Sequence, residues 1–370
     1  MDTCDVLIIG GGPAGSTCAW KLRSAGLDVL LMDRAQFPRH KPCAGWITPA
    51  VLDALEVDPV EYSEEHVLQE IRGFRTGLMY GRDRLISYGR TVSYGIRRYE
   101  FDHYLLQRSG ARLMPGVPVR SLEQREEGWV VNGNIRARMI VGAGGHFCPV
   151  ARFLGARVGN EDAVVAQVAE LPLSPEESEE SSLLPDTPAL FFCRDMKGYG
   201  WALRKGDHLN VGLGRIDSRG LPRRMADFRA YLGRMGIVPA DVQADFQGHA
   251  YLIYEKEGRR RTGDDVILIG DAAGLSYPQS GEGILPAVES ALMAAEAILE
   301  ADGDYRRESL EPYVEKLAQR FGNPAADASS AVPSAVRRFL GARLLSSRFF
   351  TRNVVLDRWF LHPHQQPLNF

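Results

Sequence analysis

The sequence predicts an α/β fold: a Rossmann-type parallel-sheet domain, an inserted and mainly antiparallel β-sheet that forms a substrate domain, and a C-terminal helical segment. Three observations predict it. The unbroken apolar run at residues 6–9 leads directly into Gly10-Gly11-Gly12-Pro13-Ala14-Gly15 and then into a helical stretch. A second apolar run at 266–269 ends in Gly270-Asp271. Between the two, short strand-like pieces are punctuated by glycine, as expected of an antiparallel insertion.

Taken in order, residues 6–9 have the continuous apolar character of a parallel strand buried on both faces. Ala14, Cys18, Leu22 and Ala25 then fall on one helical face, and Gly26 stops that helix. Residues 29–32 form the next strand and Asp33 ends it, which completes a βαβ unit. Strand-like pieces follow from 71 to 94, then a helix at 100–107 and strands at 117–122, 129–131 and 138–141. A second β-rich stretch runs from 164 to 214, interrupted by an acidic segment at 175–182 that is expected to be a solvated loop. After the strand at 266–269 a helix opens near Gly283, with Leu285, Val288, Leu292 and Ala295 on one face. The domains expected are 1–70, 91–160 and 250–300 for the nucleotide fold, 71–90 and 161–249 for the substrate domain, and 301–370 for the helical region.

Bulk properties narrow the function. The 370 residues are 45% hydrophobic and 25% charged, an ordinary globular balance. A net charge of −3 offers no global positive field to collect phosphates, so no nucleic-acid partner is expected. Cys4, Cys18, Cys43, Cys148 and Cys193 are scattered with no Cys-x-x-Cys pair, which predicts neither a disulfide framework nor a metal site and points to the cytoplasm. The opening Met1-Asp2-Thr3-Cys4-Asp5 runs straight into a strand without a basic segment, unlike a secretory leader. No apolar run reaches the roughly 20 residues that span a bilayer.

The glycine loop carries the first chemistry. In Gly10-x-Gly12-x-x-Gly15, Gly10 permits a tight turn, Gly12 admits a pyrophosphate to the backbone amides, and Gly15 lets helix and strand approach. The helix N-terminus adds about half a positive charge toward the phosphates. Asp33 is placed to accept a ribose hydroxyl and to repel a 2′-phosphate. Strand, loop, helix and acid together predict dinucleotide binding but leave FAD and NAD open. Gly270-Asp271 decides for FAD: an aspartate at a strand end suits ribityl hydroxyls, and Pro278, Gly281 and Gly283 open a helix toward the flavin pyrimidine edge. That helix end stabilises reduced flavin by roughly 0.3–1 kcal/mol.

With these residues in place, the chain resembles the para-hydroxybenzoate hydroxylase-like flavoproteins, and within them the geranylgeranyl reductase family. The glycine loop, Gly142-Ala143-Gly144-Gly145 with Arg152, and Gly270-Asp271 are similar to the three fingerprints of that superfamily. Lys41-Pro42-Cys43-Ala44-Gly45 resembles the family's Lys-x-Cys-Gly-Gly segment, Tyr199-Gly200-Trp201-Ala202-Leu203 its Tyr-x-Trp-x-Phe-Pro strand, and Arg97-Arg98 with Phe101-Asp102 its arginine and aspartate. The resemblance covers about residues 1–300. Gly144 stands where the middle fingerprint usually has Asp, Ala44 replaces a glycine, and Leu203-Arg204 replace Phe-Pro.

The resemblance implies FAD held by Gly10, Gly12, Pro13, Ala14, Gly15, Asp33, Arg34, Ala44, Gly45, Arg98, Val119, Gly270, Asp271, Gly281, Gly283 and Ile284. It implies Cys43 beside the flavin as the catalytic residue, and Tyr199, Trp201 and Pro278 lining the substrate. Lys41 is a candidate to lower the Cys43 pKa. His146, His208 and Arg259-Arg260-Arg261 read as structural or solvated. The implied reaction is reduction of carbon–carbon double bonds in a small, apolar, isoprenoid-like substrate. The rivals are a flavin monooxygenase, a halogenase, or a non-catalytic flavin- or lipid-binding protein. No second nucleotide motif follows, so NAD(P)H or a reduced partner protein would act as a transient electron donor. The basic, apolar-rich stretch 337–361 is either a helical lid or a peripheral contact with the inner membrane face.

Overall fold

The computed structural model describes residues 1–159, 161–239, 244–254, 258–322, 343–345 and 347–368. Strand Asp2–Ile9 runs parallel to Ile135–Gly142 on one side and Val29–Asp33 on the other. Val266–Leu268 and Arg112–Pro115 extend the sheet in parallel at its two flanks. Val6, Leu7 and Ile8 are wholly buried, as a strand covered on both faces must be. Helix Pro13–Ser24 packs on helix Ile284–Glu300, so the two sequence-distant halves of the nucleotide fold share one layer.

The inserted sheet has seven strands. Gln247–Tyr251, Val164–Pro172, His208–Arg215, Gly198–Lys205 and Ala189–Phe192 follow one another antiparallel. Gly73–Leu78 then joins in parallel and Asp83–Ser87 closes the edge. Residues 71–90 thus enter the same sheet as the later insertion. The strand period of two sorts its side chains. Phe191 and Ala202 face a core completed by Met225, Phe228 and Leu232 of helix Leu221–Arg234. Leu190, Trp201 and Leu203 face the opposite side, toward Val355, Leu356 and Phe360 of the wide-turned π-helix Thr351–Leu361. A small sheet of Trp46–Ile47, Ser93–Ile96 and Leu68–Ile71 lies beside them.

Three expectations are corrected. The strand expected at 117–122 begins only at Leu122, as Leu122–Arg125. Pro118 has no N–H for a ladder, and the Asn132 side chain takes the Arg120 and Ser121 amides at 2.7 and 3.2 Å in its place. The acidic segment is ordered: Pro175–Glu180 is a helix, started by a capping box in which Ser174 and Glu177 satisfy each other's amides. Arg259 is buried. It forks onto Glu161 at 2.7 and 2.6 Å and donates to the Ala272 carbonyl at 2.9 Å and the His146 carbonyl at 3.0 Å.

The helix expected at 100–107 runs Arg98–Arg108. In the C-terminal stretch, Arg307–Phe321 and Thr351–Leu361 are helical. Arg337 and Arg338 lie outside the described residues. No helix among the described residues is long and apolar enough to cross a membrane.

Candidate functional site

The two sheets meet over a cavity of about 780 Å³. One side is polar and belongs to the parallel sheet. Helix Pro13–Ser24 starts there with Gly12 as its N-cap, without a side-chain cap and without an acid in its first turn. Helix Ile284–Glu300 opens on the same cavity with Gly283 as an equally uncapped N-cap. Two helix N-termini whose N-cap glycines supply no side-chain cap face one polar cleft, an arrangement that suits an anionic dinucleotide.

Asp33 lines this cleft together with Arg34. Its carboxylate also accepts the Gly11 amide at 2.7 Å and the Ala35 amide at 2.8 Å, which ties the glycine loop to the end of the second strand. Arg98 lines the cleft too and forks onto Asp102 at 2.6 and 2.8 Å. Arg39 reaches the same fully buried carboxylate at 3.1 Å, so one aspartate holds two arginines at the wall.

The remaining expected cofactor residues divide by position. Gly10, Gly12, Pro13, Ala14, Ala44, Val119, Asp271, Gly281, Gly283 and Ile284 line the cavity. Gly15, Gly45 and Gly270 stand behind it. A Cβ on Gly15 would lie 1.8 Å from the Gly10 carbonyl oxygen, so this glycine allows the helix to meet the strand. A Cβ on Gly45 would lie 2.2 Å from the Ile96 carbonyl oxygen. Gly270 sits against Ala14 and Ala287 at a positive φ of 57°. These three shape the cradle from behind because no space in front of them is open to a ligand. Pro278 likewise stands back from the wall, in the turn before the lining segment that starts at Ser280.

Cys43 is half-buried on the cavity wall. Its sulfur accepts the Gly45 amide at 3.3 Å, and its carbonyl accepts Asn210 Nδ2 at 3.0 Å. Asn210 in turn accepts Trp201 Nε1 at 2.8 Å. A buried pair, Lys205 to Glu170 at 2.6 Å, backs the same loop. Lys41 turns to His249, with Nζ 2.9 Å from Nδ1. Burial lowers the Lys41 pKa to about 8, against the pull of Asp271. Burial, followed by the Lys41 charge, drives the His249 pKa well below the usual imidazole value. The far nitrogen of His249 lies 3.9 Å from Asp271.

The other side of the cavity is apolar. Tyr199 and Trp201 project from one strand with ring centroids 5.9 Å apart. Their polar tips are satisfied within the protein, Tyr199 by donating to the Ser280 carbonyl and Trp201 by donating to Asn210. The rings therefore present hydrocarbon to the chamber. Gly212 makes room for the indole: a Cβ there would lie 2.2 Å from Trp201. Ala166, Val168, Leu190 and Leu203 continue the wall. Phe360 closes it, stacked on Trp46 at 5.3 Å and edge-on to Tyr199 at 5.3 Å. Its helix is latched by Tyr88, whose hydroxyl donates to Asp357 at 2.6 Å.

The sequence reading missed Arg39, His249, Asn210, Glu282 and Phe360. Glu282 carried a readable signal, a carboxylate between two helix-opening glycines. The others carried none, because long-range folding alone brings them to the wall. His146, read as structural, lines the cavity rim, where burial and then Arg259 lower its pKa.

A family model described as an FAD binding domain matches residues 3–184. A digeranylgeranylglycerophospholipid reductase of Methanothrix thermoacetophila is 28% identical over 87% of this chain and 85% of that protein. A menaquinone reductase of Mycobacterium tuberculosis is 29% identical over 80% of this chain and 77% of that protein. A geranylgeranyl bacteriochlorophyll reductase-like structure from Thermoplasma acidophilum has the same fold, with a TM-score of 0.73, 22% identity and coverage of 94% of this chain and 88% of that one. The halogenase PltM shares the fold with a TM-score of 0.70, 18% identity and coverage of 87% and 75%. Fold, cradle and matched domain define an FAD-dependent oxidoreductase. Within that class the chain is similar in sequence to the digeranylgeranylglycerophospholipid reductases.

Proposed function

We propose that this flavoprotein reduces carbon–carbon double bonds of an apolar, isoprenoid-like substrate. The observation that carries the reading is the continuity of the cavity: the cradle with two uncapped helix N-termini opens without a break into the hydrocarbon chamber of Tyr199, Trp201, Leu203 and Phe360. The archaeal relatives named as digeranylgeranylglycerophospholipid reductases support the substrate class.

The residues present fit FAD. The glycine loop and Arg34 take the pyrophosphate side, Asp33 and Asp271 offer carboxylates to sugar and ribityl hydroxyls, and Gly281-Glu282-Gly283 faces the ring edge. FAD, once reduced, supplies a hydride. The chain's own work is to hold an alkene against the wall of Tyr199 and Trp201, to exclude water with the Phe360 helix, and to offer a proton to the second carbon. Cys43 is the wall residue that the motif names for this place. NAD(P)H or a reduced protein docks transiently to recharge the flavin. A peripheral contact with anionic lipid belongs to the same reading: Phe349 is 75% exposed and Leu344 43% exposed, next to exposed Arg343 and Arg348.

The test is anaerobic. The flavoprotein is reduced with dithionite and polyprenyl alkenes are added, with flavin absorbance and product mass followed. Reoxidation without oxygen, with products two hydrogens heavier per bond, supports the reading. A flavin that stays reduced until air enters, then yields an oxygenated or halogenated product, assigns the protein to the monooxygenases or halogenases.

A further inference from the structure

The sheet face toward the cavity changes character along its length. Trp201 and Leu203 of strand Gly198–Lys205 stand opposite Gly212 and Asn210 of strand His208–Arg215. Val168 and Glu170 of strand Val164–Pro172 continue the same two rows. The period of two places all six on one face. Toward Ala166 and Val168 that face is hydrocarbon, and toward Glu170, Asn210 and Lys205 it is polar, with Asn210 and Lys205 buried.

Asn210 is the centre of the polar part. It lies diagonally across from Trp201, and Gly212 leaves the indole room to cross the strand and reach it. Trp201 Nε1 donates to Asn210 Oδ1 at 2.8 Å. An indole N–H only donates, so the amide oxygen must face it, and Nδ2 keeps both hydrogens for other partners. One goes to the Cys43 carbonyl at 3.0 Å and the other to Glu170 Oε2 at 3.2 Å. Glu170 is held in turn by Lys205 at 2.6 Å and by Arg97 Nε at 3.3 Å. Lys205 stands directly behind the Cys43 loop, since a Cβ on Gly45 would come within 2.5 Å of its Nζ. A carboxylate offers no donor and a hydroxyl only one, so of the small side chains asparagine is the one that meets all three partners.

We infer that Asn210 is a positioning residue: it fixes the Trp201 ring to the loop that carries Cys43, and so sets how an alkene on the aromatic wall is aligned with the cofactor cradle. The inference rests on the alkene-reductase reading. Asn210 is 1% exposed and stands behind the wall, whereas Trp201 and Cys43 both line the cavity. Asn210 therefore acts only through these two. With its amide removed, the indole N–H and the Cys43 carbonyl lose their common partner, and the ring and the loop move independently of each other.

The test uses flavin-loaded wild type, Asn210→Leu, Asn210→Ser, Trp201→Phe and the Asn210→Leu/Trp201→Phe double variant, with tryptophan labelled at the indole nitrogen. The chain has five tryptophans, and the indole signal missing from Trp201→Phe identifies that of Trp201. In Asn210→Leu this signal is expected to shift and to exchange with deuterium about 2–10-fold faster, with flavin content retained. Anaerobic reoxidation at saturating alkene is expected to slow by about 10²-fold, while the half-saturating alkene concentration stays near the wild-type value because the hydrocarbon wall is still present. That split separates misalignment from a lost binding surface. Asn210→Ser, smaller and still polar, is expected to show the same signs to a lesser degree. The double variant is expected to slow by less than the product of the two single losses, because both substitutions break one link.

A wild-type rate in flavin-loaded Asn210→Leu overturns the positioning role and leaves the reductase reading intact. Single losses that multiply in the double variant overturn the link between Asn210 and Trp201. Loss of flavin in both Asn210→Leu and Asn210→Ser makes Asn210 a residue of the fold and overturns its part in alignment. A wild-type flavin that no alkene reoxidises refutes the reductase reading, and the alignment role falls with it even where the indole signal has shifted.

Discussion

The two ends of the cavity are built by opposite means. The cofactor end is made of backbone: a glycine loop, two helix N-termini and the turns that feed them, locked by Asp33 on the Gly11 amide and by Asp102 on two arginines. The apolar end is made of side chains: aromatic rings on a strand face and a phenyl ring lowered from the C-terminal helix. Backbone geometry tolerates almost no change at its close approaches. A wall of rings can be reshaped one residue at a time.

If that contrast is right, substitutions at the two ends must fail differently. The largest effect is expected at Gly15. Gly15→Val puts carbon where the Gly10 carbonyl already stands, a backbone collision costing more than the ~1–3 kcal/mol of ordinary overpacking. The expected outcome is protein without flavin, read as the flavin-to-protein absorbance ratio. A variant that binds flavin at full stoichiometry would break the claim that helix and strand must touch there.

Asp102 comes next. Asp102→Ala leaves Arg98 and Arg39 facing each other without a counter-charge at a buried site, and breaking such a pair costs about 3–5 kcal/mol. Denaturant unfolding should show that loss, with weaker flavin retention because Arg98 is part of the wall. Phe360→Ala tests the other end. It removes a ring from a packed helix, a change of ~3–5 kcal/mol at most sites, yet flavin stoichiometry is expected to hold. The alkene preference should move toward longer or bulkier chains. Lost flavin in Phe360→Ala would show that the two ends are not separable.

The same contrast explains what could be read from the chain. The βαβ unit, Gly10 to Gly15, Asp33 and Gly270-Asp271 were legible because local spacing dictates them. The Tyr199–Trp201 pair was legible as a strand with two rings on one face. His249, Asn210 and Phe360 were not, since residues far from the motifs reach the wall only when strand Gln247–Tyr251, strand His208–Arg215 and the last helix have docked. Arg259 was misread for the same reason: its partner Glu161 lies in another segment, and a run of three arginines looks solvated until that carboxylate is in place. Gly45, Gly270 and Pro278 sit in the right motifs but behind the wall, because a motif records which backbone shape is needed and not which atom meets the ligand.

The smallest effect expected is a pH dependence at the seam between the two ends. Lys41 lies half-buried beside His249, with Asp271, Arg98, Arg39 and Cys43 around it. Its folded pKa is lowered from 10.5 to about 8. Between those values the unfolded chain holds a proton that the folded one has released, so stability rises with pH across the window. The gain is fully present above 10.5 and is lost as pH falls through about 8. Flavin-stripped Lys41→Met should show a flatter profile there, read as unfolding midpoints across pH 7 to 11 against wild type, roughly one unit beyond the window on the acid side. A wild-type profile that does not rise would mean that the Lys41–His249 contact is solvated, and the seam would belong to the open cofactor cleft and not to the closed chamber.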